Sequence, residues 1–304
     1  MYNGNPVAIK YRRKQKRWSL FFLALPCMLA VIALYYVPLC GWYLSLIEYR
    51  VGANIFTCKF VGLDNFRRLL QTRAFIRALK NTLIFSSAKF VMLIFPGLFA
   101  ILFNEIESLR YRRIVQTIST LPYFISWVII YGFVYALFST EGPVNQLLAI
   151  FGTSQSILTD KNKVYLFQSL LYLWKMLGWN SIIYVAAIAG IDQQLYEAAS
   201  IDGAGYVRRA IHITVPGIMP TFTVLVLLGV ADFINNGMDQ YYVFQNAMVY
   251  NNIESLELYT YKQGIKLMDY SYATTVSILK SCVSLVMLFS ANFIAKRVRG
   301  QSII

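Results

Sequence analysis

Long apolar stretches, separated by short polar segments, run along the whole chain. Six of them are long enough to cross a bilayer, whose hydrocarbon core of about 30 Å takes roughly 20 helical residues. Because lipid offers the backbone no hydrogen bonds, we expect each stretch to be a helix. The pattern predicts spans at 18–47, 82–104, 114–138, 164–189, 217–236 and 273–295. The predicted fold is all-α, an integral membrane protein with six transmembrane helices.

Composition supports a bilayer as the solvent for much of the chain. Hydrophobic residues fill 58% of the positions and the mean hydropathy is +0.53, whereas soluble domains are about 45–50% apolar. The net charge of +14 is spread over the flanks of the spans. We therefore interpret it as a sign of membrane topology and expect no nucleic-acid partner.

The placement of lysine and arginine predicts the orientation, since the cytoplasmic flanks of membrane helices are enriched in both. With six spans, one side carries Lys10, Arg12, Arg13, Lys14, Lys16, Arg17, Arg110, Arg112, Arg113, Arg208, Arg209, Lys296, Arg297 and Arg299. We predict that this side is cytoplasmic and that both termini lie inside. The outer loops at 139–163 and 237–272 carry few basic residues, which agrees with this orientation.

The predicted outer segment 48–81 is an exception, because it is rich in arginine and lysine. Five spans or an inverted arrangement would remove the conflict but would leave the N-terminal charges outside, so we keep six spans. Within the segment, the run NFRRLLQTRAFIRALKNTL has apolar residues near one helical face, namely Phe66, Leu69, Leu70, Phe75 and Leu79. The run predicts an amphipathic helix at the membrane interface.

These features divide the chain into consecutive parts. They are a basic cytoplasmic N-terminus at 1–17, a first transmembrane helix with the outer amphipathic segment at 18–81, a core of five transmembrane helices at 82–296, and a cytoplasmic tail at 297–304. The core includes a polar loop at 196–222.

Residues for covalent chemistry are scarce. His212 is the single histidine, and the sequence places no serine or cysteine nucleophile beside it. The four cysteines have none of the spacings used for zinc, so we predict neither a catalytic residue nor a metal site. The chain also lacks a G-x-x-x-x-G-K-[ST] phosphate loop. We expect no cofactor in this chain, and any ATP that drives it is expected to bind another subunit.

The loop at 196–222, YEAASIDGAGYVRRAIHITVPGIMPTF, is a polar, glycine-punctuated segment between two apolar spans. Glu197 and its neighbours are expected to form or end a short helix. Gly203 and Gly205 would permit a tight turn before a second helix at 206–213. A helix-turn-helix beneath a membrane bundle suits docking in the groove of a soluble partner. An ordinary interhelical loop is the alternative, and the residues alone leave both open.

This loop resembles the EAA motif of membrane permeases in ABC importers, in which Glu-Ala-Ala precedes Asp-Gly-Ala and, later, two prolines. The matching residues are Glu197, Ala198, Ala199, Asp202, Gly203, Ala204, Ile213, Val215, Pro216 and Pro220. The chain departs from the pattern at Ala210, where sugar-type members have a larger residue. FVGLDNFRRLL, WKMLGWNSIIYVAAIAGID and DYSYATTVSILKSCVSLVMLFSANFIAKR are similar to the maltose-permease-like sugar importers. Within that branch they are most similar to the LplB-like permeases for complex oligosaccharides.

The resemblance implies a type I importer (MetI-like) permease fold with a cytoplasmic coupling helix, in a bacterial plasma membrane. It implies as partners a second homologous permease subunit, an ATP-binding cassette ATPase dimer that binds ATP and Mg²⁺, and an extracytoplasmic sugar-binding lipoprotein. It also implies an ATPase contact at Glu197, Ala198, Ala199, Asp202, Gly203, Ala204, Arg208, Arg209, Ile213 and Pro216.

Polar and aromatic residues inside the predicted spans are candidates for the substrate path, since an unpaired charge in hydrocarbon costs at least about 2.5 kcal/mol. They are Lys89, Trp174, Lys175, Asp232, Asn235 and Asn236. Hydrogen bonds between helices, or snorkelling of the lysines to the interface, are the alternatives.

The outer segment 237–272 is aromatic and polar, and we predict that it docks the extracytoplasmic binding protein. A simple structured cap is the alternative. The candidate residues are Asp239, Tyr241, Tyr242, Asn251, Asn252, Glu254, Glu257, Tyr259 and Tyr261.

The leading hypothesis is a permease subunit of an ATP-driven oligosaccharide importer, without enzymatic activity of its own. An ion-coupled secondary transporter is the alternative, and it would take up sugar without an ATPase. A membrane-embedded transferase is a further alternative. It would need a group of titratable residues, and the chain has only one histidine.

Overall fold

The structure is a computed structural model that describes residues 20–150 and 157–299. The predicted N-terminus at 1–17 and residues 300–304 of the predicted tail lie outside the described residues. Within the described ranges the fold is almost wholly helical, and the isolated β-bridge found there joins Ile47 to Phe60. The predicted all-α class is confirmed.

The helices follow one another through short connections. Their bounds are α1 Leu20–Leu46, α2 Asp64–Gln71, α3 Arg73–Met92, α4 Ile94–Asn104, α5 Leu109–Phe124, α6 Trp127–Phe138, α7 Pro143–Ile150, α8 Val164–Ala189, α9 Gln193–Ile201, α10 Tyr206–Ala231, α11 Asp239–Phe244, α12 Tyr250–Ile253, α13 Leu256–Tyr261 and α14 Tyr270–Arg299.

Six stretches of the described chain are helical, long and apolar enough to cross a membrane. They are α1, α3 with α4 (Arg73–Asn104), α6 with the start of α7 (Trp127–Leu147), α8, α10, and most of α14 (Tyr270–Arg297). The predicted number of spans is confirmed, and α8 has the predicted bounds. No residue in the apolar window of α1 is buried in the single chain, as expected for a helix in lipid or against partner chains.

The third predicted span, 114–138, is wrong as a single helix. α5 ends at Phe124 and α6 begins at Trp127. Pro122 has no N–H to donate in the last turn of α5. Ser126 then starts a new helix by accepting the N–H of Ile129 at 3.4 Å. The candidate span at this place therefore starts after the break, at Trp127.

The fifth predicted span, 217–236, is displaced along the chain. α10 begins at Tyr206 and ends at Ala231. The following residues turn, and Gly237 adopts a left-handed backbone with φ +74° that glycine tolerates without a steric penalty. Asp232, Asn235 and Asn236 were predicted to lie within the span, but they lie beyond the end of the helix.

A single amphipathic helix over the basic segment is also wrong. Thr72 has extended backbone and separates α2 from α3. Leu69 and Phe75 are buried whereas Leu70 is exposed, so these apolar residues do not share one exposed face. The location of this segment at the membrane interface stays a prediction.

The outer residues 239–261 form the short helices α11, α12 and α13. Tyr241, Glu254 and Tyr259 are buried, and Glu254 forms an ion pair with Lys262 at 2.9 Å. Three of the predicted docking residues therefore pack inside the chain, where they are inaccessible to a partner. Their burial fits the structured cap, and docking by the exposed residues of the segment stays a prediction.

The chain divides into two compact units. The first consists of residues up to Arg68 together with 263–278. In this unit Ser271 donates its hydroxyl to the carbonyl of Ile47 at 2.8 Å, and Arg68 pairs with Asp269 at 3.0 Å. The hydrogen bond and the ion pair join segments that are more than two hundred residues apart in sequence.

The second unit consists of 69–262 and the chain from Leu279 onward. One of its apolar clusters is built around Phe85, Ile130 and Tyr241, and another around Tyr184 and Ile218. The polar loop and the predicted path residues all belong to this unit.

Candidate functional site

The polar loop begins with α9, and a glycine ends that helix. Asp192 caps the N-terminus of α9 by accepting the N–H of Gln194 at 3.0 Å. At the other end, the N–H of Ala204 reaches the carbonyl of Ala199 at 2.8 Å. Gly203 takes the left-handed conformation, φ +73°, that this type of C-terminal turn requires.

The second part of the loop opens α10, as the spacing predicts. Gly205 precedes the first turn with extended backbone, and a π-helical turn follows at Ala210–Thr214. The Tyr196 hydroxyl of α9 and the Thr214 hydroxyl of α10 lie 2.9 Å apart, and Thr214 is buried. The predicted helix-turn-helix is therefore present, and hydrogen bonds hold its two helices together.

The residues of the EAA motif have different environments. Glu197, Ala198, Asp202, Arg208 and Pro216 are exposed, so their side chains are available to a partner. The side chains of Ala199, Ala204, Arg209 and Ile213 are partly buried. Among them, Arg209 donates to the Ser200 hydroxyl at 3.1 Å and thereby links α10 to α9.

The sequence predicted apolar anchors on this loop but did not identify the residues. Ile201 is 87% exposed at the end of α9, and Val207 and Ile211 are exposed on the first turns of α10. Exposed aliphatic side chains on both sides of a tight turn form a knob suited to a hydrophobic groove. The available signal was the presence of isoleucine and valine beside the glycines of an otherwise polar loop.

Four of the predicted path residues, Lys89, Asp232, Asn235 and Asn236, lie together around one cavity of about 150 Å³. α3 and α4 form one wall, α8 forms another, and the end of α10 with the turn after it forms the third. The remaining lining residues are Ser86, Phe90, Met92, Leu93, Pro96, Tyr172, Leu173, Met176, Leu177, Asn180, Gly229 and Phe233.

Lys89 is the cationic residue among those that line this cavity. Its ammonium donates to the carbonyl of Asn236 at 2.9 Å and lies 4.2 Å from the centroid of the Tyr172 ring. Tyr241, which lies outside the six spans, is also near the ammonium, at 5.7 Å from ring centroid to Nζ. Burial raises the pKa of Tyr241 well above its ordinary value, so its phenol stays neutral.

Asn236 is fixed by contacts on several sides. Its side-chain amide donates to the Ser86 hydroxyl at 2.6 Å and to the Thr82 carbonyl at 3.1 Å. Its backbone N–H donates to Glu257 at 3.0 Å, and the same carboxylate oxygen accepts from Lys280 at 2.9 Å. Its Oδ1 is buried and has no hydrogen-bond partner in the described part of the chain.

The remaining two path candidates lie elsewhere. Trp174 is half exposed on α8 and does not line the cavity. Lys175 is buried, and its ammonium donates to the carbonyls of Pro122 and Tyr123 at 2.9 Å and also contacts the carbonyl of Ile125. Lys175 thus binds the backbone at the break between α5 and α6, beside a second cavity.

The second cavity, of about 460 Å³, is lined by Tyr123, Phe124, Ile125, Ser126, Trp127, Val128, Lys175, Asp239, Tyr242 and Val243. Next to it, the rings of Tyr123 and Trp179 stack at a centroid distance of 4.2 Å. The contacts of Lys175 and Trp179 with α5 fit bonding between helices, the alternative role for such residues.

The chain matches known transport proteins in sequence and in overall fold. Residues 92–300 match the family model described as "Binding-protein-dependent transport system inner membrane component". The chain belongs to this family. The permease is 34% identical to "Protein LplB" of Bacillus subtilis (strain 168), over 97% of this chain and 93% of that protein.

A second relative from the same organism is the "Polygalacturonan/rhamnogalacturonan transport system permease protein YteP". It is 33% identical to the permease over 93% of this chain and 89% of that protein. The permease also superposes on a chain of a bacterial ABC transporter involved in the import of the acidic polysaccharide alginate, with a TM-score of 0.86 and 31% identity. That match covers 95% of this chain and 99% of the other.

A related crystal structure contains the alginate transporter in complex with an alginate pentasaccharide-bound periplasmic protein. Its matching chain has a TM-score of 0.86, 31% identity and coverage of 96% of this chain and 99% of that one. These likenesses confirm the predicted type of fold, six membrane helices with a permease architecture.

Proposed function

We propose that this permease forms half of the translocation path of an ATP-driven importer for oligosaccharides derived from complex polysaccharides. One observation carries the proposal. The single helix α10, about 39 Å long at 1.5 Å per residue over its 26 residues, bears the exposed loop at its first turn. At its last turn it reaches the cavity with Lys89, Asp232 and Asn236. Movement of the loop is therefore transmitted along one helix to the cavity.

The cavity has the groups that sugar recognition uses. The ammonium of Lys89 can donate to a hydroxyl or a carboxylate, and Asp232 with Asn235 offers further polar contacts. A cavity of this size fits about one sugar ring at a time, so an oligosaccharide would pass through it lengthwise. The names of two similar proteins, which concern polygalacturonan/rhamnogalacturonan transport and import of the acidic polysaccharide alginate, support this substrate class.

The family match and the related transporter support three kinds of partner. A second homologous permease completes the path. An ATP-binding cassette ATPase dimer binds ATP and Mg²⁺, and its groove receives Ile201 and Val207 of the knob. An extracytoplasmic binding protein delivers the sugar. The sequence contains no nucleotide-binding phosphate loop, so we assign ATP binding to the partner ATPase.

We further propose that both termini and the loop at 196–222 are cytoplasmic in a bacterial plasma membrane, following the basic flanks. In this arrangement residues 1–17 and 297–304 are cytoplasmic extensions of a permease core at 82–296. The exposed Glu197 and Arg208 then face the ATPase.

The experiment is ATP-driven uptake by the permease purified with its partner subunits and reconstituted in proteoliposomes with the binding protein. We expect uptake of galacturonate-, rhamnogalacturonate- or mannuronate-containing oligosaccharides to exceed that of maltose. Asn235→Ala should lower this uptake about tenfold, because it removes a cavity amide that bonds only to Asp232 among the described residues, at 2.7 Å.

Asn162→Ala is the matched control, since Asn162 is exposed outside the cavity, and it should transport normally. The complex should retain its ATPase in both variants. Uptake by the permease alone, driven by an ion gradient without ATP, would instead establish a secondary transporter.

A further inference from the structure

The connection after α1 folds into a closed loop at residues 47–63. Backbone hydrogen bonds join Glu48 N to Lys59 O and Val61 N to Leu46 O, both at 2.9 Å. The chain therefore leaves α1 at its last residue, Leu46, and comes back to bond with that residue. A loop closed in this way has a defined shape and a defined tip.

Asn54 fixes the tip of this loop. Its Oδ1 accepts the N–H of Phe56 at 3.0 Å, and its carbonyl accepts the hydroxyl of Thr57 at 3.0 Å. Phe56 is nevertheless 89% exposed. A turn that holds phenylalanine outward is unfavourable in water, because the apolar ring surface stays hydrated.

Phe56 belongs to a larger exposed surface of the loop. The other exposed apolar residues are Val51, Ile55, Phe60 and Leu63. The exposed basic residues Lys59 and Arg67 lie close to them in the chain. Apolar side chains flanked by lysine and arginine are typical of segments that lie in the interface of a phospholipid bilayer.

The base of the loop lies where two membrane helices end. α1 ends at Leu46 and α14 begins at Tyr270. Tyr49 donates its backbone N–H to the Ser271 hydroxyl at 3.0 Å, and the rings of Tyr49 and Tyr270 are 6.1 Å apart. Tyrosine is enriched where membrane helices meet the headgroups. The loop is thus attached to the chain at the depth of the bilayer surface.

We propose that residues 47–63 bind the bilayer itself and anchor the end of α1. Phe56 and Phe60 enter the boundary between headgroups and acyl chains, and Lys59 lies beside lipid phosphates. The continuity of the loop with two span ends selects the bilayer over a protein as its occupant. This inference depends on the membrane helices and not on what the permease transports.

The test uses the full-length chain in nanodiscs of phosphatidylcholine and phosphatidylglycerol. The native cysteines are replaced by serine, and Ala53→Cys, at an exposed position in the loop, carries a spin label. Collision with oxygen and with an aqueous nickel complex reports its depth. We expect a label about 5 Å or more below the phosphates. Phe56→Ser combined with Phe60→Ser should raise nickel accessibility about threefold, whereas Phe56→Trp should preserve the depth.

Leu109→Ser is the matched control, because Leu109 is 71% exposed at the start of α5, outside the loop. It should leave the label depth unchanged. A label fully accessible to nickel in the unaltered loop would overturn the proposal. Protection that appears only after the binding protein is added would also overturn it, since the loop would then be a protein-docking site. If Leu109→Ser changes the label depth as much as the double serine variant does, the change reflects general loosening of the fold, and this result would also contradict the proposal.

Discussion

Gly203 and Glu197 belong to the same motif but act in different ways. Gly203 has φ +73° and closes the end of α9, whereas Glu197 is exposed on that helix. Gly203 therefore determines the shape of the loop, and the carboxylate of Glu197 is accessible to a partner. Gly205 lies two positions later with an ordinary φ of −67° and open space around it.

Gly203→Ala should destabilise the turn after α9, because the left-handed backbone conformation costs alanine about 1–2 kcal/mol of free energy. We expect faster amide exchange over 193–201 and reduced co-purification of the ATPase. Gly205→Ala is the control, since its Cβ meets no atom within 4 Å and its backbone is permitted. Equal effects of the two substitutions would contradict the conformational role of Gly203.

Among the elements, α5 and α8 approach each other closely. A Cβ on Gly178 would lie 2.2 Å from the carbonyl oxygen of Ser119, so the two backbones are in contact there. Lys175 and Trp179 contact the end of α5 from either side of this glycine. Small residues permit such contacts between membrane helices, and together these three residues hold α5 against α8.

Gly178→Ala should force α5 away from α8, and overpacking of this kind typically costs about 1–3 kcal/mol. We expect a lower thermal unfolding midpoint in detergent and weaker transport by the assembled complex. Gly132→Ala, in α6, is the control because its Cβ would meet nothing within 4 Å and alanine favours helix. An unfolding midpoint unchanged in both variants would argue against a tight crossing at Gly178.

The whole permease presents a surface suited to assembly. The knob formed by Ile201, Val207 and Ile211 is exposed in the isolated chain, and exposed aliphatic clusters on a polar loop mark contact surfaces. In the proposed function, the loop, α10 and the cavity form one line of transmission, with a partner expected at each end of it.

Ile201→Glu should prevent the ATPase from docking, because a charge replaces an apolar anchor in its groove. We expect at least about a tenfold loss of ATPase in pull-downs of the complex, with normal membrane insertion of the permease. Met248→Glu, an exposed apolar position outside the loop, is the control and should assemble normally. Retention of the ATPase by the Ile201 variant would refute this contact.

Hydropathy was sufficient to predict α8 residue for residue, because an unbroken apolar run of this length has few alternatives to one helix. It did not predict the break after Phe124. The carbonyls at that break bind Lys175, about fifty residues further along the chain, and a local pattern contains no information about such a partner. Likewise, the polarity of Tyr241 and Glu254 suggested exposure, yet tertiary packing buries both.

The sequence by itself determined the membrane class, the number of spans and the loop with its motif. Those properties depend on the length of the apolar stretches, on backbone hydrogen bonding and on local turn chemistry. Residues that are close together in the sequence determine all three. Only the tertiary structure decided that Lys89, Asp232, Asn235 and Asn236 share one cavity while Lys175 binds a helix end. The reason is geometric: these residues come from helices and a turn that are distant in sequence, and their neighbours are set by how the helices pack.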